Sequence, residues 1–172
     1  MGVVRPPDRA AAEAECEALF RAHKDGLLAA AMVVDPHLAW DGVQQAFEEA
    51  LTRMLAPHAP PVRNWWGWLR QVTVRHVVAR RQEVAAHASA EGLDGIDPAP
   101  LTEDLVVIKE KFEGTLRRVA ALPLRQRHAV GLRFLGGFSY PEIARIMAVE
   151  EVTVRNLISQ ARRSLKADRG RL

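Results

Sequence analysis

Amide and basic side chains near the end of the chain recur at a spacing that places them on one face of a helix. Asn156 and Gln160 stand one helical turn apart, and their amides match the donor and acceptor pair that adenine presents in the major groove. The basic side chains around them suit the phosphates of a nucleic-acid backbone. The candidate contact residues of this face are Thr153, Arg155, Asn156, Ser159, Gln160, Arg162, Arg163 and Lys166. The alternative is an ordinary amphipathic helix with a solvated charged face.

The residues before this face predict the helix-turn-helix that would position it. Ser139, with Glu142 three residues later, is typical of a capping box, and Pro141 suits a first helical turn. A tight turn at Ala148 and Val149 separates this helix from the next. The apolar faces of the two helices consist of Ile143, Ala144 and Met147, and of Val154, Ile158, Ala161 and Leu165. This arrangement favours DNA contact over the solvated-face alternative.

Charge is divided unevenly between the two ends of the chain. Its 172 residues suit two small domains better than one. From residue 115 onward, twelve Arg and Lys accompany four acidic residues, a formal charge of +8, whereas the remainder carries −5. A basic domain has nucleic acid as its natural partner, while an acidic helical face indicates a basic protein partner or serves solubility.

The sequence argues against a disulfide, a metal site and a membrane segment. Cys16 is the only cysteine, which excludes an internal disulfide and a thiolate zinc site and fits a reducing cytosol. The longest apolar run, from Leu27 to Val34, is much shorter than the about 20 residues that cross a bilayer, and no signal peptide is apparent. We therefore expect a cytoplasmic protein without cofactor, metal or membrane insertion.

Helical periodicity dominates the rest of the chain, which predicts an all-α fold. The expected helices cover about 7–34, 37–55, 64–86, 102–122 and 124–135, followed by the helix-turn-helix. Residues His87 to Leu101 contain Gly, Pro and acids but scarcely any large apolar side chain, so we expect a flexible linker there. The predicted organisation is two small helical domains, residues 1–86 and 102–172, joined by the linker at 87–101.

A second candidate contact surface lies between Arg63 and Arg81. Five arginines occur in this segment without any acid, and three tryptophans are interleaved with them. Aromatic rings stack on single-stranded bases, at about 1–3 kcal/mol per base, while arginines hold the backbone. The candidate contacts are Arg63, Trp65, Trp66, Arg70, Arg75, Arg80 and Arg81. The alternative is that the tryptophans are core residues, which we expect for Trp68, whereas at least one of Trp65 and Trp66 is expected to be exposed.

Six short stretches in a fixed order carry a family resemblance. In the N-terminal half they begin at Leu19 (LFRAH), Asp41 (DGVQQAF) and Trp68 (WLRQV). In the C-terminal half they begin at Leu122 (LPLRQR), Leu132 (LRFLGGFSYPEIA) and Thr153 (TVRN). Together they resemble the second and fourth regions of bacterial RNA polymerase sigma factors of the extracytoplasmic-function (ECF) group, more specifically in the C-terminal half.

The resemblance implies different functions for the two domains. In such factors a second-region helix docks on the polymerase, and the matching positions are Asp41, Gln44 and Gln45, with Glu48 as a further acid beside them. The tryptophan-containing helix would capture an unstacked base of the melted promoter element, and the C-terminal helix would read the upstream element. The implied partners are core RNA polymerase, promoter DNA and an anti-sigma factor.

Some positions depart from the family pattern. Family members usually carry Glu where Gln45 stands and an acid where Trp40 stands, which weakens or redirects the polymerase contact. Asn is frequent at the position of Arg75, Asp at that of Ala79 and Arg at that of Leu157. The base preference of relatives therefore does not transfer to this chain.

Two alternatives to a sigma factor stay open from the sequence. One is a sigma-like DNA-binding regulator that does not initiate transcription alone. The other is an interaction protein whose helix-turn-helix packs on another protein. An enzyme is disfavoured, because the six histidines show no metal-ligand spacing and no glycine-rich phosphate loop follows a strand.

Overall fold

The computed structural model describes residues 8–91 and 100–169, and all regular structure in these ranges is helical, as predicted. Residues 1–7, the centre of the predicted linker at 92–99, and residues 170–172 lie outside the described part. The described α-helices are α1 (Arg9–Val34), α2 (Ala39–Leu55), α3 (Trp65–Glu91), α4 (Glu103–Lys111), α5 (Glu113–Ala120), α6 (Leu124–Val130), α7 (Tyr140–Met147) and α8 (Glu151–Arg169).

Helices α1, α2 and α3 pack around one another and form the N-terminal domain. Helix α1 begins where the Asp8 carboxylate accepts a hydrogen bond from the Ala10 N–H at 3.1 Å, and it ends before a proline, as the sequence predicts. The Asp35 carboxylate then accepts a hydrogen bond from the His37 N–H at 2.9 Å. This bond starts a short 3₁₀ turn (Pro36–Leu38) that leads into α2.

Small side chains allow α2 to lie close to α3. A Cβ added at Gly42 would lie 2.4 Å from Val77 Cγ2 and 3.1 Å from the carbonyl oxygen of Thr73, so only glycine fits. On the inner face of α2, Ala39, Val43, Ala46 and Ala50 are buried, while Phe47 and Met54 are half-buried. The opposite face of α2 is thereby left toward solvent.

Helix α3 is longer than predicted. It continues to Glu91, so the first five residues of the predicted linker, 87–91, are helical. Alanine alternates with other residues from position 86 to 90, and alanine has the highest helix propensity, which extends the helix past the predicted end. The predicted flexibility of residues 92–99 concerns a segment outside the described residues.

Two predicted helices of the C-terminal half differ in detail. The helix expected at 102–122 is divided into α4 and α5, because Phe112 leaves helical geometry (φ −112°, ψ 16°) and its ring packs against the core. The helix expected at 124–135 consists of α6, which ends at Val130, and of a π-helical turn that follows it (Gly131–Leu135). In that turn the Gly136 N–H donates to the carbonyl oxygen of Gly131 at 2.9 Å, five residues back.

The predicted helix-turn-helix is present in α7 and α8. The Ser139 N–H and hydroxyl donate to Glu142 Oε2 at 2.8 and 2.6 Å, which holds the pKa of that carboxyl below its ordinary value. Helix α7 ends at Met147. Its C-cap residue, Ala148, adopts the left-handed conformation (φ 51°, ψ 48°) at the predicted turn. The apolar face is buried at Ile143, Met147, Val154, Ile158 and Ala161, and half-buried at Ala144 and Leu165.

The C-terminal helices pack against the N-terminal domain. Helix α6 and the π-helical turn lie on α1 and α3, and a Cβ added at Gly131 would lie 2.7 Å from Val34 Cγ2 and 3.9 Å from Val74 Cγ1. Helices α4 and α5 pack along α1, with Leu105 and Ile108 buried in the same core. We call the meeting of α6 and the π-helical turn with α1 and α3 the closing contact; its residues are Val34, Asp35, Val74, Arg81, His128 and Gly131.

His128 is the buried titratable group of the closing contact. Its side chain is only 4% exposed, and burial lowers the pKa of its imidazole from 6.5 to about 4. The positive charges of Arg127 and Arg81 lower this pKa further, while Asp35 opposes them. The imidazole is therefore neutral in the folded protein at pH 7.

We predict that His128 destabilises the folded protein in mild acid. Its folded pKa lies below its unfolded pKa of 6.5, so the unfolding free energy is highest above pH 6.5 and falls as the pH decreases toward 4. The loss amounts to about 3 kcal/mol at most. Urea unfolding of wild type and His128→Phe between pH 4 and 7.5 measures it, with His58→Gln as an exposed-histidine control. Equal pH dependence in wild type and His128→Phe would contradict the assignment.

Candidate nucleic-acid interface

The polar face of α8 is directed toward solvent. Of the eight candidate residues, Thr153 is half-buried and the other seven are exposed: Arg155, Asn156, Ser159, Gln160, Arg162, Arg163 and Lys166. Asn156 and Gln160 thus lie outside the core, as contact with base edges requires. Gln126 Nε2 donates to Gln160 Oε1 at 3.3 Å, which ties this side chain to α6.

Tyr140 holds two arginine side chains beside this face. The Arg155 guanidinium carbon lies 4.6 Å from the centre of the Tyr140 ring, and that of Arg133 lies 5.0 Å from it. Arg155 also donates through Nε to Glu151 Oε1 at 3.1 Å, and Arg133 donates to the carbonyl oxygen of Phe138 at 2.9 Å. Both cations are therefore fixed before any ligand binds.

A second aromatic side chain supports a third arginine. The Arg162 guanidinium carbon lies 5.3 Å from the ring centre of Phe134, and this ring is 47% exposed. Phe134, Tyr140 and Arg133 were not among the residues predicted from the sequence. An available signal was an aromatic residue directly after the N-cap of α7, where it can approach the first turn of α8.

The arginines form the wall of a shallow basic groove. Its volume is about 360 Å³, and its lining contains four basic side chains and no acid. Such a surface attracts phosphate groups, because the positive potential of neighbouring cations adds in a concave site. The lining residues are Tyr140, Arg155, Ile158, Ser159, Arg162, Arg163 and Lys166.

The three tryptophans of α3 lie at the edge of the core. Trp66 packs on α1, where its ring centre lies 5.2 Å from that of His23 and a Cβ at Gly26 would lie 2.7 Å from its Cη2. Trp65 and Trp68 meet edge to face with ring centres 5.5 Å apart. All three are half-buried: Trp68 is less buried than expected, and Trp65 and Trp66 each keep a partly exposed ring, because each large ring covers the core edge with one side only.

Three of the five candidate arginines between Arg63 and Arg81 form ion pairs, two of them with acids that are distant in sequence. Arg75 Nη2 lies 3.4 Å from Glu49 Oε2, and Arg80 Nη1 lies 3.0 Å from Glu83 Oε2. Arg81 Nε lies 3.1 Å from Asp35 Oδ2 in the least exposed of these pairs, with 32% and 14% of the side chains accessible. Of the remaining two, Arg63 is exposed, and the Arg70 guanidinium carbon lies 5.6 Å from the Trp66 ring centre.

The outer face of α2 presents acids and amides. Asp41, Gln44 and Glu48 are exposed, and Gln45 is half-buried. Gln44 Nε2 donates to Glu48 Oε1 at 2.9 Å, and Gln45 Nε2 donates to Glu49 Oε1 at 3.2 Å. The spacing of three and four residues aligns these side chains in one strip along the helix.

Other chemistry finds little support in the described part of the chain. Within residues 8–91 and 100–169, His, Cys, Asp and Glu side chains form no group of three or more that could hold a metal ion. No helix in the same ranges is long and apolar enough to span a bilayer. Cys16 is half-buried, and burial raises the pKa of its thiol, with Glu15 adding to the effect.

We predict that Tyr140 supports nucleic-acid affinity through its ring. Tyr140→Ala removes two cation–π contacts of about 1 kcal/mol each and is expected to weaken binding of a duplex about tenfold. Tyr140→Phe keeps the ring face and is expected to bind within about twofold of wild type. Fluorescence anisotropy at constant salt measures both, with circular dichroism to verify folding. Equal losses in the two variants would show that the hydroxyl, rather than the ring, matters.

Comparison with known proteins agrees with this arrangement of helices and side chains. Residues 113–165, from α5 into α8, match the family model described as Sigma-70, region 4. The ECF RNA polymerase sigma factor SigM of Bacillus subtilis (strain 168) is 27% identical over 137 residues, which cover 79% of this chain and 82% of that protein. No solved structure matches the chain significantly. The predicted resemblance to ECF sigma factors is thus confirmed, and the helix-turn-helix lies within the match to sigma-70 region 4.

Proposed function

We propose that this protein binds core RNA polymerase and directs it to start transcription at a specific promoter. The observation that carries the proposal is the exposed amide and basic face of α8 within a region 4 helix-turn-helix. The similarity to SigM extends over most of the chain and so includes part of the N-terminal domain. The protein acts in the cytoplasm, needs no cofactor and catalyses no reaction itself.

The C-terminal domain reads the upstream promoter element. Asn156 and Gln160 project from α8 toward base edges, while the basic groove beside Tyr140 receives the DNA backbone. Arg155 is held by Tyr140 and Glu151, and a fixed guanidinium loses little side-chain entropy when it binds. Thr153, Ser159 and Lys166 complete the contacting surface.

The N-terminal domain binds polymerase and the single-stranded DNA of the melted promoter element. The strip of Asp41, Gln44, Gln45 and Glu48 on α2 offers acidic and amide side chains to a basic partner surface. The exposed parts of Trp65 and Trp66 provide faces for an unpaired base, and Arg63 and Arg70 accompany the strand. An anti-sigma factor is a further partner of this type of protein and would compete for these surfaces.

One observation favours a second candidate, a sigma-like regulator that does not initiate alone. Arg75, which stands at a position where this chain departs from the family pattern, forms an ion pair with Glu49 that joins α3 to α2. Their charges offset each other instead of facing polymerase and DNA. Run-off transcription with reconstituted core enzyme separates the two candidates: transcripts from genomic templates favour initiation, whereas duplex binding without any transcript favours the regulator.

We predict that the acidic strip of α2 determines affinity for core polymerase. Glu48→Lys reverses one exposed charge and is expected to weaken binding to core enzyme about tenfold, or about 1.4 kcal/mol. Surface plasmon resonance on immobilised core enzyme measures this affinity. Glu17→Lys makes the same charge change on exposed α1 and serves as the matched control. If both variants lose affinity equally, only net charge matters and α2 is not the docking helix.

We predict that two groups of α8 residues affect DNA binding differently. Arg162→Ala or Arg163→Ala is expected to weaken binding to all duplexes and to reduce the slope of log K against log salt by about 1. Asn156→Ala or Gln160→Ala is expected to alter sequence preference by about 1–3 kcal/mol per base pair. Titrations at several salt concentrations, on duplexes enriched from a random pool and on scrambled versions, distinguish the groups. Indistinguishable behaviour would mean that α8 does not lie in the major groove.

A further inference from the structure

Val152 is an exposed apolar side chain in the first turn of α8. It is 56% exposed, whereas Val154 and Ile158 of the same helix are buried and Leu157 is half-buried. Single apolar side chains are common on protein surfaces, so exposure alone assigns no role to this valine. Its position on the helix, however, is that of a contact residue.

Val152 lies on the same face of α8 as Asn156 and Gln160. An α-helix turns by about 100° per residue, so positions 152, 156 and 160 follow one another along one face with a drift of about 40° per step. Val154, about 200° from Val152 around the helix axis, is completely buried. Val152 therefore points away from the core, on the face whose amides are exposed.

A valine at this position contributes little to the stability of the fold. Its β-branched side chain has a lower helix propensity than alanine, and more than half of the residue remains in water. The neighbouring Arg155 is instead engaged, since it donates through Nε to Glu151 and lies over the Tyr140 ring. These contacts orient the first turn of α8 and leave the methyl groups of Val152 accessible to a ligand.

The major groove of DNA offers an apolar group that suits this side chain. Thymine presents its C5 methyl group there, and recognition helices contact base edges with their N-terminal residues. We propose that Val152 is a specificity-determining residue that packs on the C5 methyl group of a thymine. The proposal rests on the proposed function, in which α8 lies in the major groove of the upstream element.

Helix geometry also limits where this thymine lies. Val152 and Asn156 are four residues apart, which corresponds to about 6 Å along the helix axis. Successive base pairs are about 3.4 Å apart along the duplex. The thymine is therefore within about two base pairs of the pair that Asn156 contacts.

Replacement of thymine by deoxyuridine tests the contact, because deoxyuridine pairs like thymine but has no C5 methyl group. A duplex that the wild type enriches from a random pool is synthesised with each thymine replaced in turn, and fluorescence anisotropy at constant salt measures the affinity. One replacement, near the base pair whose preference Asn156→Ala alters, is expected to weaken wild-type binding about fourfold, the loss for one buried methyl-sized group. Val152→Ala is expected to bind the unmodified duplex about fourfold less tightly and to be insensitive to the same replacement.

A second exposed valine provides the matched control. Val107→Ala removes the same atoms from a residue that is 60% exposed on α4. This variant is expected to bind the duplex as the wild type does and to keep the sensitivity to deoxyuridine. Alanine has a higher helix propensity than valine, so neither substitution is expected to unfold its helix, and circular dichroism verifies this.

The outcomes distinguish this proposal from the proposed function. If no deoxyuridine replacement weakens binding, or if the same replacement weakens Val152→Ala as much as the wild type, Val152 does not contact a thymine methyl group. If Val152 and the methyl group are coupled but reconstituted core enzyme yields no transcript, the contact stands and the proposed role in initiation is wrong. A wild type that enriches no sequence from the pool would overturn both.

Discussion

The distance between Gly131 and Val34 determines how the two halves of this protein are arranged. Because Gly131 has no side chain, the π-helical turn packs directly on α1 and α3. Leu132 is completely buried there. The same approach buries His128 and covers the ion pair of Arg81 with Asp35. The exposed surfaces of both domains follow from this packing, since whatever lies on the inner sides is removed from solvent.

The packing of the two domains affects the two candidate DNA surfaces differently. On α8, the polar face remains exposed and its arginines are oriented by Tyr140, Phe134 and Glu151. On α3, the tryptophans rest partly on the core, and three arginines have carboxylate partners. Exposed pairs such as Arg80 with Glu83 exchange readily for phosphate, because surface ion pairs contribute at most about 1 kcal/mol. The Arg81 pair joins α3 to the residue after α1 and lies within the N-terminal domain.

Local patterns predicted the features that depend on neighbouring residues. The capping box of Ser139 and Glu142, the turn at Ala148 and the buried faces of α7 and α8 each depend on residues within a few turns, so spacing alone indicates them. The α8 candidate residues were predicted for the same reason. The break at Phe112 was missed because the core, which draws its ring inward, lies on distant helices.

Contacts between distant residues could not be derived from the sequence. Gly131 and Val34 are almost a hundred positions apart, and no local pattern distinguishes this glycine from one that ends a helix. The segment 63–81 contains no acid, yet Glu49 and Asp35 supply carboxylates from α2 and from the end of α1. Tyr140 was overlooked because its role depends on where Arg133 and Arg155 lie in space.

If one chain is to connect polymerase, the melted element and the upstream element, its two domains must separate on binding. Pulsed electron paramagnetic resonance between spin labels at Thr52 and Ser164, both exposed, tests this directly in a Cys16→Ser background. One short distance between the labels is expected in the unbound protein, and a distinctly longer one in the complex with core polymerase and promoter DNA. The same short distance in both states would contradict it.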